Sequence, residues 1–206
     1  MRQSGILLPV TSLPSPYGIG TMGKAAYNWI DFLENAKQSY WQVLPLGPTS
    51  FKDSPYQTFS AFAGNPYLID LDMLVEEGLL EENDLSEYMT SELTIDYGLL
   101  YSWRFKILKK DFKAFNKNES YWLNDYALFM AIKNYFQGRS WQEWPNEFKL
   151  RKKVAIDKFI KGNEVEIKFY KFIQFIFAKQ WHKLKAYANE KKVEIIGDVP
   201  IYVALD

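Results

Sequence analysis

The chain contains no cysteine, which excludes a disulfide framework and any thiolate metal site. It has one histidine, His182, too few for a histidine-rich metal site. It has no excess of either charge: 25 basic residues balance 25 acidic ones, so nothing draws it toward nucleic acid or acidic lipid. Long apolar runs are missing too. None approaches the ~20 residues of a membrane-spanning helix. The stretch "GILLPV" near the start is shorter than the roughly 7–15-residue apolar centre of a secretion signal. A cytoplasmic protein is expected, with no nucleic-acid partner and no membrane attachment.

What the chain has in quantity is aromatic side chains: 7 Trp, 14 Tyr and 15 Phe among 206 residues. Most are read as large core side chains on amphipathic helices, and some as flat platforms for sugar rings or bases. The length suits one domain, or one domain with an insertion.

Three segments read as strands: "SGILLPV" (residues 4–10), "YWQVLPL" (40–46) and "EIIGDVPIYV" (194–203). Each is a nearly continuous apolar run bounded by Gly or Pro, the pattern of parallel strands buried on both faces. Between the first two, Ala26, Trp29, Ile30, Leu33 and Ala36 recur at helical spacing. Residues 4–46 therefore form a strand–helix–strand unit.

Helix patterns fill the longer gap that follows. One runs over 101–115 with Trp103, Ile107, Leu108, Phe112 and Phe115. A second, less clean, runs over 122–136 with Tyr126, Phe129, Met130 and Lys133. The third runs over 165–189 with Phe169, Ile173, Ile176, Gln180, Leu184 and Tyr187, and feeds directly into the third strand. The division expected is 1–75 (two strands and their end loops), 76–164 (an inserted helical subdomain) and 165–206 (crossover helix and third strand). Parallel strands joined by helices belong to an open doubly wound sheet or to a barrel, and both bind ligands at the carboxyl ends of the strands.

Three loops lie at those ends. The first holds "GIGTMG" (18–23), which fits G-x-G-x-x-G. Residues 11–17 separate it from the strand, and residues 40–52 offer no acid for a ribose. These glycines are read as shaping a tight helix entry instead. The second loop, residues 47–72, is rich in Ser, Tyr, Phe and Asn. It reads equally as a site for a neutral polyhydroxylated ligand or as a packed loop in which Ser54 and Asn65 satisfy backbone groups. The third is the end of the chain. Alternation puts Ile196, Asp198, Pro200 and Tyr202 on one side of the strand, so Asp198 interrupts an apolar run. A buried carboxylate needs partners, and Asp198 is read as a structural acceptor ahead of an active-site carboxylate. "VALD" starts the loop beyond the strand, which sets Asp206 at the mouth beside residues 54–56. His182, next to Trp181 on a helix, is read as a surface or packing residue.

The blocks "SGILLPVTSLPSPYGIG", "YWQVLPLGPTS", "SPYQTFSAFAGNPYLIDL", "DYALFMAIK" and "IIGDVPIYVALD" closely resemble the 4-alpha-glucanotransferase (amylomaltase) family, in the family's order and from end to end. The resemblance implies an α/β fold, a (β/α)8 TIM barrel that is incomplete in this chain. About the first three strands are present, with a helical insertion between strands 2 and 3. It implies transfer of α-1,4-glucan segments between maltooligosaccharides by a retaining double displacement using two carboxyl groups. It also implies that no cofactor or metal is needed. The family's catalytic carboxylates lie on later strands, so no catalytic residue is expected in this chain. Ser54, Tyr56 and Asp206 match substrate-binding positions, and Asp198 and Asn65 are expected as structural support. An α-amylase-like hydrolase and a non-catalytic glucan-binding fragment are the alternatives. With open sheet edges, the 206-residue chain by itself is expected to be inactive and poorly soluble.

Overall fold

The computed structural model describes residues 2–50, 53–90, 94–110, 112 and 122–204. Three short strands, β1 (Gly5–Leu7), β2 (Tyr40–Gln42) and β4 (Glu194–Ile196), form a parallel sheet in the order β1-β2-β4. The register aligns Gly5, Tyr40 and Glu194 in one row, then Ile6, Trp41 and Ile195, then Leu7, Gln42 and Ile196. Such a sequential parallel order needs a crossover between neighbours. Helix α1 (Lys24–Asn35) supplies the first, and the 27-residue helix α7 (Glu164–Glu190) enters the third strand.

The middle row faces these helices. Trp41 is fully buried there, and its indole N–H donates to the Leu8 carbonyl at 2.8 Å. The opposite face is open: Leu7 is 52% and Ile196 43% exposed. The expected burial on both faces is thus corrected, because helices cover one side of the sheet only. Within α1, Ala26, Ile30 and Leu33 are buried, Trp29 is half-buried, and Ala36 caps the end in solvent.

All three strands are shorter than the apolar runs suggest, and proline accounts for two of the ends. After Leu8 N–H pairs with the Gln42 carbonyl, Pro9 has no N–H to offer and a 3₁₀ turn follows at Val10–Ser12. After Val43 N–H pairs with the Ile196 carbonyl, the ladder stops ahead of Pro45. The third run is broken at Gly197. Asp198 Oδ1 accepts the Val199 N–H at 2.8 Å, a local bond that competes with strand pairing. The expected single strand over 194–203 is therefore two pieces, so the alternation expected from Ile196 through Asp198 and Pro200 has no continuous strand to carry it. The second piece, β5 (Tyr202–Val203), joins a separate parallel pair with β3 (Gln57–Thr58).

Between β3 and α7 lie α2 (Leu71–Glu76), α3 (Tyr97–Lys110), α4 (Leu123–Tyr135), α5 (Asn146–Lys149) and α6 (Lys153–Gly162). In α3, Trp103, Ile107 and Leu108 are buried as expected, while Phe112 lies past the helix end against Phe169 and Phe172. Phe115 lies outside the described residues. Helix α4 packs along α7. Its buried face includes Leu123, Ala127, Leu128, Ala131 and Ile132 as well as Tyr126 and Lys133, a wider face than the expected line. His182 is exposed. No helix among the described residues is long and apolar enough to cross a membrane.

Candidate functional site at the strand-end loops

The entry to α1 shows what the glycine-rich segment does. A Cβ on Gly23 would sit 1.9 Å from Asp70 Oδ2, and one on Gly20 would sit 2.1 Å from the Val10 carbonyl oxygen. Asp70 is buried, accepts the Thr21 hydroxyl on one oxygen, and caps α2 by accepting the Met73 N–H on the other. Both glycines are thus required by close packing, Gly23 against the Asp70 carboxylate and Gly20 against the Val10 carbonyl, as the reading of a tight helix entry expects.

Residues 47–72 are anchored by three buried polar side chains. On α7, Gln174 exchanges two 2.8 Å hydrogen bonds with the Gly64 backbone. Six residues on, Gln180 accepts the Asp70 N–H at 2.7 Å and donates to the Asp70 carbonyl at 3.0 Å. From α3, Arg104 reaches the carbonyls of Tyr67 and Ile69 while fully buried. Its Nε and remaining terminal nitrogen have no hydrogen-bond partner among the described residues. Burial lowers the Arg104 pKa to about 10, against the opposing pull of Asp70 and Tyr17, so it stays cationic at neutral pH. Asn65, also buried, accepts the Tyr67 N–H at 3.0 Å and caps the turn at Pro66–Leu68. Asp70, Gln174, Gln180 and Arg104 were not singled out as site-forming by sequence. Gln180 had a legible signal, a polar residue on a buried stripe, which requires a partner.

One side of this anchored loop borders a cleft of about 820 Å³ that α3, α4 and α7 close. Tyr67, Tyr101, Phe105 and Tyr126 contribute ring faces, and Asp53 and Gln57 contribute polar groups. Asp53, which the sequence reading passed over, adopts a left-handed φ of 52° and accepts from the Thr49 hydroxyl at 3.2 Å. Burial raises its pKa above the ordinary carboxylate value, and the Thr49 bond partly offsets this. Rings beside neutral and charged hydrogen-bonding groups suit a polyhydroxylated ligand.

Ser54 and Tyr56 do not line that cleft. Ser54 Oγ accepts the Tyr56 N–H at 3.4 Å, and the Tyr56 hydroxyl donates to Asp198 Oδ2 at 2.8 Å. Just beyond Tyr56, β3 pairs Gln57 with Tyr202 and Thr58 with Val203. The segment after β4 is thus joined to the loop after β2 by backbone pairing and by one side-chain bond. Asp206 lies outside the described residues.

A family model described as 4-alpha-glucanotransferase matches residues 8–206. The 4-alpha-glucanotransferase of Clostridium butyricum is 48% identical over 210 residues, which cover 96% of this chain and 43% of the relative. That of Streptococcus pneumoniae is 46% identical over 220 residues, covering 100% and 44%. Among solved structures, the amylomaltase from Streptococcus agalactiae in complex with acarbose superposes with a TM-score of 0.92 at 41% identity. That match covers all of this chain and 45% of the amylomaltase. The chain thus spans less than half the length of these relatives. With the family model matched across nearly its whole length, and with the strand-end loops on which the likeness rests folded together, the chain belongs to the 4-alpha-glucanotransferase family.

Proposed function

We propose that this chain forms the first part of a (β/α)8 barrel that transfers α-1,4-glucan segments between maltooligosaccharides in the cytoplasm. Residues 1–75 supply two barrel strands and their end loops, 76–164 an inserted helical subdomain, and 165–206 the crossover helix and third strand. Ser54, Tyr56 and Asp206 contact sugar near the cleavage point, with Asp198 and Asn65 as support. The chemistry is a retaining double displacement. One carboxylate attacks the anomeric carbon to form a glycosyl-enzyme. A second carboxyl group protonates the departing sugar and then deprotonates the acceptor hydroxyl. On this reading neither carboxyl group is among residues 1–206.

The observation that carries this reading is the 0.92 TM-score likeness, at 41% identity, to an amylomaltase solved with acarbose. The test completes the chain with the part of that Streptococcus agalactiae amylomaltase it does not cover and supplies maltotriose. A ladder of longer and shorter maltooligosaccharides is expected. Glucose and maltose alone would replace transfer by hydrolysis, and binding without turnover would leave a glucan-binding fragment. The 206-residue chain without its complement is expected to give no products.

A further inference from the structure

The Tyr56–Asp198 contact specifies more than a fold. Both oxygens of Asp198 are engaged as acceptors, Oδ2 by the Tyr56 hydroxyl and Oδ1 by the Val199 N–H, each at 2.8 Å. A carboxylate has no proton to return, so the single phenolic proton of Tyr56 is committed to Asp198. The two residues are 142 positions apart. The parallel pairing of Gln57 with Tyr202 and Thr58 with Val203 follows directly after Tyr56 and four residues after Asp198, and holds the two segments side by side. The same bond is the largest cause of the raised pKa of the Tyr56 phenol, which keeps it protonated.

We propose that Asp198 is a positioning residue that fixes the polarity of Tyr56, leaving the phenolic oxygen to present only lone pairs to the glucan. This rests on the reading that Tyr56 faces sugar. A free phenol can donate to a ring or glycosidic oxygen or accept from a hydroxyl. With its proton held by Asp198, Tyr56 can only accept, and it selects a sugar hydroxyl that donates. Ring and glycosidic oxygens have no proton, so they are refused at this position. The consequence is a register signal: the chain seats a glucose unit with a hydroxyl toward Tyr56.

The experiment uses the chimera with the Streptococcus agalactiae complement and maltotrioses in which one hydroxyl at a time, at the 3- or 6-positions, is replaced by fluorine, which does not donate. The intrinsic effect of fluorine is common to every variant and cancels in comparisons between them. In the wild type, kcat/KM is expected to fall about 3- to 10-fold at one position, the loss of one hydrogen bond. Tyr56→Phe abolishes that penalty, and Asp198→Asn shrinks it because the phenolic proton is released toward the substrate. Identical penalty patterns in all three proteins would show that Tyr56 reads no hydroxyl. A pattern shared by wild type and Asp198→Asn but lost in Tyr56→Phe would reduce Asp198 to a fold support. A second readout does not depend on turnover. In ring-¹³C-tyrosine NMR of the same chimera, the signal missing from Tyr56→Phe is expected to titrate above the exposed tyrosines, and to fall toward them in Asp198→Asn. Titration with the exposed tyrosines in the wild type overturns the proposal. Absence of any transfer by the wild type would instead sink the glucanotransferase reading, and the NMR result still decides the role of Asp198.

Discussion

The side-chain amide of Gln174 and the backbone amide of Gly64 face each other as a closed pair, Oε1 accepting the Gly64 N–H and Nε2 donating to its carbonyl, both at 2.8 Å. The two are 110 residues apart, and both groups are buried. Together with Gln180 at Asp70 and Arg104 at Tyr67 and Ile69, this pair turns a long loop into a fixed wall. Variants that probe this wall are compared in the completed chimera, and in the 206-residue chain where it is named.

Gln174→Leu fills similar volume but strands a buried N–H and a buried carbonyl. Each unsatisfied group costs about 1–3 kcal/mol. A loss of roughly 2–4 kcal/mol in urea unfolding is expected. A loss under about 0.5 kcal/mol, the range of ordinary surface changes, would mean that water or a shifted backbone replaces the pair.

Gly64→Ala and Gly162→Ala should move stability in opposite directions. A Cβ on Gly64 would come within 2.1 Å of the Phe177 ring, whereas one on Gly162, the last residue of α6, meets nothing within 4 Å. Overpacking at Gly64 is expected to cost about 1–3 kcal/mol. Gly162→Ala is expected to be neutral or to stabilise by up to about 0.5–1 kcal/mol, since it reduces the freedom of the unfolded chain. Thermal unfolding of the two variants side by side checks this.

Stability should fall in alkali. Burial raises the phenols of Tyr67, Tyr126 and Tyr170 above their ordinary value, and it is the only resolved cause for Tyr126. Each folded pKa lies above the unfolded one, so the folded state holds more protons once pH passes about 10. Their contribution is complete below that pH and is lost as pH rises through the folded values. A lower Tm at pH 11 than at pH 8 is expected, with a shallower drop in Tyr126→Phe. Equal drops in both proteins would remove Tyr126 from the account.

Tyr56→Ala should slow glucan transfer far more than it lowers stability, because the fold loses only a half-buried ring and its one bond to Asp198. Transfer from maltotriose and urea unfolding, run on one preparation, separate the two effects. An unchanged rate would take Tyr56 out of the site.

Leu7→Asp tests the barrel. Leu7 shares the open sheet face with Gln42 and Ile196. In a closed barrel that face is interior, and a carboxylate there is buried without a partner. The chimera is expected to lose more than about 2 kcal/mol. In the 206-residue chain alone the same change should leave unfolding nearly untouched and raise solubility. Equal behaviour in both settings would argue against closure over this face.

Local pattern made some of this legible. The apolar runs at 4–10, 40–46 and 194–203 located the three strands, and the stripes led by Ala26, Trp103 and Phe169 located helices α1, α3 and α7, because helical spacing and buried parallel strands leave marks that local sequence cannot hide. The strand ends were less visible. Pro9 and Pro45 were there to be read, but the break at Gly197 depends on a bond between Asp198 and its own neighbour. The motif blocks, Ser54 to Tyr56 among them, carried the family, and the match over residues 8–206 agrees.

The element types, the parallel character of the sheet and the family thus follow from short-range patterns and ordered motifs. Which polar residues meet is settled by packing alone: Gln174 with Gly64, Gln180 with Asp70, Arg104 with Tyr67 and Ile69, and Tyr56 with Asp198. These pairs are 35 to 142 residues apart. A buried donor announces that it needs an acceptor, but which acceptor it finds is set by how α3, α7 and the two strand-end segments pack, and no local pattern encodes that distance.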